Sequence, residues 1–393
     1  FAPPGEGPVR LGPEGRGEPA ESGDIAERLK ATLAGMGRLE RELSELRARL
    51  ELSEELQESL EGRILDLRSI ERRLAASAHG LRLVLAPGDE ASAFVRWMES
   101  RGKGKRSNLV LAAAPIELGA LLRESLFTQV DTSVLTSATL TTRKGFDFLR
   151  GRMGITAPEL EFEEEAIAVD ERVVPSPFDF EHQAMLAIPT DLPLAEERDP
   201  AVHPATADVL ARFSELTDGG IFGLFTSYSA LRAVARGVRD MGLDVEWPLF
   251  VQGEDDRHRM LDRFVQAGNG VLLGTASFWE GVDVPGDPLR GLLIQKLPFR
   301  VPTEPITQAR MEALERRGID PFQHFMLPQA ALRLKQGFGR LIRSRTDRGA
   351  VVLLDRRILT KRYGRYLRES LPPAPLVKGP WHELQERLVA FYT

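Results

Sequence analysis

Two arginines three residues apart, Arg340 and Arg343, close the stretch Gln336-Gly337-Phe338-Gly339-Arg340-Leu341-Ile342-Arg343. On a helix that spacing puts both guanidinium groups on one face, with Gln336 one turn earlier. A planar guanidinium fork suits bidentate contact with phosphate oxygens better than a lysine ammonium does. The stretch sits in a basic block. From Arg333 to Arg368 there are twelve Lys/Arg and two Asp/Glu, a local +10 in a chain whose net charge is −6. Such a block is either a localised polyanion site or a solvated helix face. Lys361, Arg362, Arg365 and Arg368 form its last basic helix face.

Other chemistry-bearing residues follow short apolar runs. Ser137-Ala138-Thr139 follows the run 133–136, and Thr226-Ser227-Tyr228 follows 221–225. Thr275-Ala276-Ser277-Phe278-Trp279-Glu280-Gly281-Val282-Asp283 follows 271–274, and Phe299-Arg300 comes shortly after 291–295. Hydroxyls, glycines, carboxylates and aromatics at strand ends suit phosphate and nucleic-acid contacts, with the aromatics as stacking platforms.

The elements that must position these residues can be read from the same pattern. Runs of four to six apolar residues at 109–113, 133–136, 221–225, 271–274, 291–295 and 350–354 are bounded by Gly, Pro, Asp or Ser. That pattern predicts buried parallel strands of an α/β domain. Helical stretches are expected at 116–127, 203–216, 228–241, 255–267, 304–317 and 328–342. In open α/β sheets ligands bind beyond the carboxyl ends of the strands. Before this domain, 1–24 is rich in Gly, Pro and Glu and reads as a flexible linker or loop. Leucines and isoleucines spaced by three and four across 25–79 predict long amphipathic helices, with Gly35, Gly37 and Gly62 as marks of bends. A domain junction is expected between 162 and 177.

Composition narrows the function classes. The 393 residues make room for two to three domains. Cysteine is absent and His numbers six, which excludes disulfides, thiolate metal sites and cysteine nucleophiles within the chain and disfavours a multi-His metal centre. There is no apolar run near the length of a membrane span and no signal peptide, so a cytoplasmic location without membrane contact is expected. The chain starts at Phe1, as a fragment or processed product would.

Ser-Ala-Thr, Phe-Thr-Ser-Tyr, Phe-Trp-Glu-Gly-Val-Asp-Val-Pro-Gly and Gln-x-x-Gly-Arg-x-Ile-Arg, in this order, closely resemble motifs III to VI of superfamily 2 helicases, of the DinG/XPD-like DNA helicase group. The resemblance covers about 80–370, and more loosely 25–80. It implies an α/β fold: a RecA-like parallel-sheet motor domain 2 at 166–393, the C-terminal part of a RecA-like motor domain 1 at 80–165, and an all-helical arch-like segment at 25–79. It also implies roles. Arg340 and Arg343 become arginine fingers, and Gln336, Glu280 and Asp283 act in the same cleft. Ser137, Ala138, Thr139 and Gly281 couple nucleotide state to motion. Thr226, Ser227, Tyr228, Thr275, Phe278, Trp279, Phe299 and Arg300 face nucleic acid.

Two elements of that family are missing from the sequence. There is no Gly-x-x-x-x-Gly-Lys-Ser/Thr phosphate loop and no Asp-Glu-x-His motif for Mg²⁺. Gly102-Lys103-Gly104-Lys105-Arg106-Ser107 has the wrong glycine spacing and reads as an exposed basic turn. The resemblance therefore implies the C-terminal part of an ATP-dependent DNA helicase, a 5′→3′ single-strand translocase acting on single-stranded and forked DNA. ATP and Mg²⁺ would be held mainly by an upstream half, in the same or a partner chain. With no cysteine here, an iron–sulfur cluster in the parent stays open. Two alternatives also stay open: a non-catalytic nucleic-acid-binding or regulatory module, and one half of a split motor.

Overall fold

The computed structural model describes residues 7–12, 23–52, 59–101, 108–155, 167–194, 199–275 and 289–393. Contacts divide the chain into two units: Phe1–Leu121 with Val301–Pro321, and Leu122–Arg300 with Phe322–Thr393. These divisions fall at other places than the four-part organisation read from the sequence.

The first unit opens with β1 (Val9–Leu11), inside the stretch expected to be a flexible linker. Leu11 is buried and β1 pairs antiparallel with β2 (Phe94–Arg101), so this part of 1–24 is held by a strand ladder. Two long helices follow, α1 (Gly23–Glu51) and α2 (Glu61–Leu85). Gly35 and Gly37 lie inside unbroken helix, and α2 runs past Gly80, further than the sequence pattern suggests. Arg47 bonds Glu51 at 2.9 Å and Glu71 at 3.0 Å, and Arg68 bonds Glu51 at 2.8 Å. Those pairings make the two helices antiparallel.

β3 (Asn108–Pro115) contains the run expected to be a buried parallel strand. It pairs antiparallel with β2, in register from Phe94↔Pro115 to Arg101↔Asn108, and its residues are only partly buried. A run of small and apolar residues does not encode its partner's direction, and the adjacent β2 is the nearest partner in sequence. Against this sheet the helix Pro305–Arg316 places Ala309 beside Val95 and Ile116, and Glu312 grips Arg10 through 2.7 and 2.9 Å bonds.

The second unit is a seven-stranded, wholly parallel sheet, the expected RecA-like α/β fold. It contains, in chain order, α3 (Asp147–Met153), β4 (Ala184–Pro189), α4 (Val202–Thr217), β5 (Ile221–Phe225), α5 (Tyr228–Asp240), β6 (Leu249–Val251), α6 (Arg257–Ala267), β7 (Val271–Thr275), β8 (Gly291–Ile294), α7 (Leu327–Leu341), β9 (Gly349–Leu353), α8 (Tyr363–Glu369), β10 (Leu376–Gly379) and α9 (Trp381–Tyr392). The strand order is β10-β4-β9-β8-β5-β7-β6. The central strands are continuous apolar runs because both faces are covered. Phe222, Leu224, Leu272, Ile294 and Val351 face one core with α6 and α7, while Ile221, Phe225, Leu273, Leu293 and Val352 face the other with α4, α5 and α9.

The run 133–136 is not a strand. It pairs with no described strand, and Val134 is 84% exposed. An apolar run forms a strand only where a neighbour accepts its backbone hydrogen bonds.

Candidate functional site

Helix α7 carries the Gln-x-x-Gly-Arg stretch. Leu327, Ala330, Ala331, Leu334, Phe338 and Leu341 repeat by three and four and are buried under the sheet, with Pro328 in the first turn. That stripe turns Lys335, Gln336 and Arg340 away from the core. Gln336 Nε2 donates to Thr139 Oγ1 at 3.5 Å. One residue earlier, Lys335 Nζ donates to the Thr141 carbonyl at 3.3 Å and to Thr141 Oγ1 at 3.0 Å. Thr139 N in turn donates to Ser137 Oγ at 3.2 Å. The hydroxyl cluster and the arginine-bearing helix, 197 residues apart in sequence, thus meet through consecutive side chains of one helix. Lys335 was not among the residues singled out from sequence. Burial pulls its ammonium below the ordinary lysine value.

The two arginines do not share a helix face. The helix ends at Leu341, and Ile342 is extended (φ −121°, ψ 110°), so Arg343 enters a turn. Asp347 builds that turn: Oδ2 accepts from Arg343 N at 2.8 Å and Ser344 N at 2.9 Å, and Oδ1 accepts from Ser344 Oγ at 2.5 Å. Burial pushes the Asp347 carboxyl up, and these donors together with Arg343 more than offset it, leaving the group below the usual carboxylate range. Burial lowers the Arg343 guanidinium, with Asp347 opposing. The turn is pinned to the amino end of the sheet. Gln183, which directly precedes β4, donates through Nε2 to the carbonyls of Ser344 at 2.9 Å and Asp347 at 2.7 Å.

Thr226, Ser227 and Thr275 lie at the other end. Thr226 and Ser227 directly follow β5, and Thr275 ends β7. Strands of this length separate the two ends by roughly 15 Å. Ligand binding beyond the carboxyl ends of the strands therefore does not reach Arg343 and its turn. Motif VI precedes its strand, and α7 runs back to the amino end before β9 begins.

At the carboxyl end, Ser227 caps α5 by accepting from Ala230 N at 3.2 Å. Tyr228 is 46% exposed and Arg232 lies 6.0 Å from its ring centroid. Its hydroxyl accepts from Gln252 Nε2 at 2.7 Å, while Gln252 Oε1 accepts from Thr275 N at 2.6 Å and Thr275 Oγ1 at 2.9 Å. Gln252 escaped the sequence reading because it follows β6, a three-residue strand too short to read as one. Its position just after a strand was the available signal. Gln252→Ala leaves the Thr275 N–H of a buried residue unpaired and is expected to lower unfolding free energy by about 1–3 kcal/mol in urea titration.

Phe299 packs in an aromatic trio with Phe322 (5.6 Å between centroids) and Tyr363 (5.5 Å), which takes up its ring. Arg300 Nε donates to Gln329 Oε1 at 2.8 Å. The loop carrying both is tied to the core by Leu297 N, which donates to Asp355 Oδ2 at 2.9 Å. On the basic helix face, Arg365 bonds Glu369 at 2.7 Å and Arg368 Nη1 donates to the Ile358 carbonyl, so part of that charge is engaged within the fold. Phe278, Trp279, Glu280, Gly281, Asp283 and the basic stretch 102–107 lie outside the described residues. Among the described residues, no group of three or more His, Asp or Glu could hold a metal, and no helix is long and apolar enough to cross a membrane.

Comparison with known proteins follows the same lines. Residues 210–374 match the family model of the helicase C-terminal domain. The chain is 37% identical over 268 residues to the ATP-dependent DNA helicase YoaA of Escherichia coli, covering 68% of this chain and 40% of that protein. It is 35% identical over 291 residues to the ATP-dependent DNA helicase DinG of Photobacterium profundum, covering 72% and 40%. It therefore spans about 40% of the length of these relatives. A solved XPD helicase structure shares the fold at 18% identity, with a TM-score of 0.52 over 83% of this chain and 56% of that one. Ordered motifs, parallel sheet and relatives agree: the chain carries a helicase C-terminal domain and is similar to the C-terminal part of the DinG/XPD-like helicases.

Proposed function

We propose that this chain is the C-terminal part of an ATP-dependent DNA helicase that steps 5′→3′ along single-stranded DNA and opens forks. Residues 25–79 form the end of the arch, 80–165 the last part of motor domain 1 and 166–393 motor domain 2. The observation that carries the reading is the split of the motif residues between the two ends of one parallel sheet. Arg343 and its turn lie at the amino end, and Thr226, Ser227, Tyr228 and Thr275 lie at the carboxyl end. Gln336 meets Thr139 between the two halves of the motif set.

ATP hydrolysis builds charge on the γ-phosphoryl oxygens, which guanidinium groups stabilise. Arg340 and Arg343 supply that stabilisation, and Gln336 holds the Ser137–Ala138–Thr139 segment to their helix. Glu280, Gly281 and Asp283 complete the coupling loop. Thr226 and Ser227 donate to backbone phosphates, Thr275 holds Gln252 in place behind Tyr228, Tyr228, Phe278 and Trp279 stack on bases, and Phe299 with Arg300 shapes the adjoining loop. The residues present fit ATP in part, through the arginines. Among the described residues no cluster of carboxylates is placed to hold Mg²⁺. The phosphate loop and the metal-holding acids belong to an upstream half in the same or a partner chain. The enzyme works where its DNA is, in the cytoplasm.

The test is DNA-stimulated ATPase by the chain alone and mixed with a protein carrying the upstream half. Turnover only in the mixture is the expected result. Turnover by the pure chain overturns the composite site. No turnover in either case, with salt-sensitive single-strand binding retained, favours the binding-module alternative.

A further inference from the structure

β4 and β9 are neighbours, and beyond their carboxyl ends lies a cleft of about 470 Å³. Thr190, Leu194, Arg356, Arg357, Thr360 and Lys361 line it, and among the described lining residues there is no carboxylate. No motif of the family set falls on these residues.

The charges of the cleft are not equivalent. Arg357 is spent on Asp355: Nε donates to Oδ1 at 2.8 Å and Nη2 to Oδ2 at 2.6 Å, with both side chains buried. That pair is neutral, and it leaves Arg356 and Lys361 to set the potential. Arg356 Nη1 donates to the Thr190 carbonyl at 3.1 Å, which fixes the guanidinium against the cleft wall. A guanidinium carries five donors, and this bond uses one. Lys361 is exposed and forms no ion pair among the described residues. The turn that carries it is tightly packed. A Cβ added at Gly364 would collide with the Ile358 carbonyl, which also accepts from Arg368. Arg356, held against the wall, the exposed Lys361 and the Thr190 hydroxyl around a small open cleft are a donor set for one phosphate group, while the Thr360 hydroxyl donates to the Arg356 carbonyl at 3.3 Å.

We propose that this cleft binds a backbone phosphate of single-stranded DNA, a contact that extends the track of motor domain 2 across β8 and β9 to β4. The inference rests on the DNA-motor reading above. A linear polyanion is favoured over a free nucleotide because the described lining residues include no aromatic ring for a base and no glycine-rich loop for a triphosphate. It also lies at the same end of the sheet as Thr226 and Tyr228. Only β8 separates β5 from β9, so the cleft is on the order of 10–15 Å from them, the span of a few nucleotides.

The experiment is a salt titration of the full 393-residue chain binding a labelled oligothymidylate of about 15 nucleotides. Lys361→Ala is expected to flatten the log–log salt slope by about 0.7 and Arg356→Ala/Lys361→Ala by about 1.4, with affinity falling several-fold at low salt. Lys361→Ala removes no internal bond among the described residues, so its result stands even if the double variant folds poorly. Tyr228→Ala serves as the contrast, because losing a stacking ring weakens binding and leaves the slope unchanged. If the chain binds and Tyr228→Ala weakens it while Lys361→Ala keeps the full slope, the cleft is not part of the track and the DNA reading survives. If the parent chain does not bind the oligonucleotide, both fall. Inorganic phosphate that displaces the oligonucleotide better than chloride at equal ionic strength, and only with Lys361 present, would mark a free-phosphate pocket and overturn the proposal.

Discussion

Arg340→Ala is expected to lower DNA-stimulated ATP turnover of the assembled motor by about 10³-fold or more, while single-strand binding by the chain stays within a few-fold of the parent. The magnitude follows from what the guanidinium does. Charge develops on the phosphoryl oxygens in the transition state, and a fixed donor aimed there contributes in a site from which water is excluded. Arg340 sits in the last turn of α7, whose apolar stripe from Leu327 to Leu341 is locked under the sheet. The helix therefore presents the guanidinium without reorganisation at each turnover. Binding is spared because Thr226, Ser227 and Tyr228, which we propose face DNA, follow β5 at the opposite end of the sheet. Arg340→Lys keeps the charge but loses the fork, so most of the loss is expected to remain. Arg345→Ala is the control. It removes an exposed charge from the same basic block and should change turnover little. A loss of turnover equal in both alanine variants would mean that general electrostatics, not a placed guanidinium, supports hydrolysis. Turnover unchanged by Arg340→Ala would remove the assignment altogether.

What could be read from the sequence depended on whether a property is local. Val271–Thr275 and Gly349–Leu353 are legible as buried strands because covering both faces of a parallel sheet demands unbroken apolar runs. The run 109–113 looks the same locally, but its partner is β2 and its direction antiparallel. Pairing direction is a property of two segments, and one segment does not encode it. The same limit applies to 133–136, an apolar run without a described neighbour. The Gln-x-x-Gly-Arg-x-Ile-Arg stretch is legible in the sequence as a motif. Its three-residue arginine spacing does not announce that the helix stops between Arg340 and Arg343. That stop depends on Asp347, four residues beyond Arg343, which draws the backbone into a turn. Gln252, Lys335 and Asp355 are single polar residues in no repeating pattern. Each acts through a partner far away in sequence: Tyr228, Thr141 and Leu297. Which end of the sheet a motif occupies required the path of α7, because motif VI lies before its strand while motifs IV and V follow theirs.

Asp355→Ala is expected to lower the unfolding free energy by about 3–5 kcal/mol, read as a fall in denaturant midpoint with an unchanged slope. The carboxylate is 4% exposed and carries four bonds. It takes Arg357 N and Nε on Oδ1, and Arg357 Nη2 and Leu297 N on Oδ2. Its removal strands a buried guanidinium and orphans the Leu297 N–H, and both penalties fall on the same point between β8 and β9. The cost lies in the broken pair and not in its absence. A buried ion pair repays its own desolvation only about to balance, so Asp355→Ala/Arg357→Met should be less destabilised than Asp355→Ala alone. That sign is the discriminating result. A double variant whose cost equals the sum of the two single costs would show that the two side chains act independently. The functional consequence follows from Leu297. Its bond to Asp355 anchors the loop that carries Phe299 and Arg300, and Arg300 reaches α7 through Gln329. The double variant, folded but without that anchor, is therefore expected to lose coupling: basal ATP turnover of the assembled motor persists, and stimulation by single-stranded DNA falls several-fold. Coupling retained in full would place the link between track and arginine helix elsewhere than in this loop.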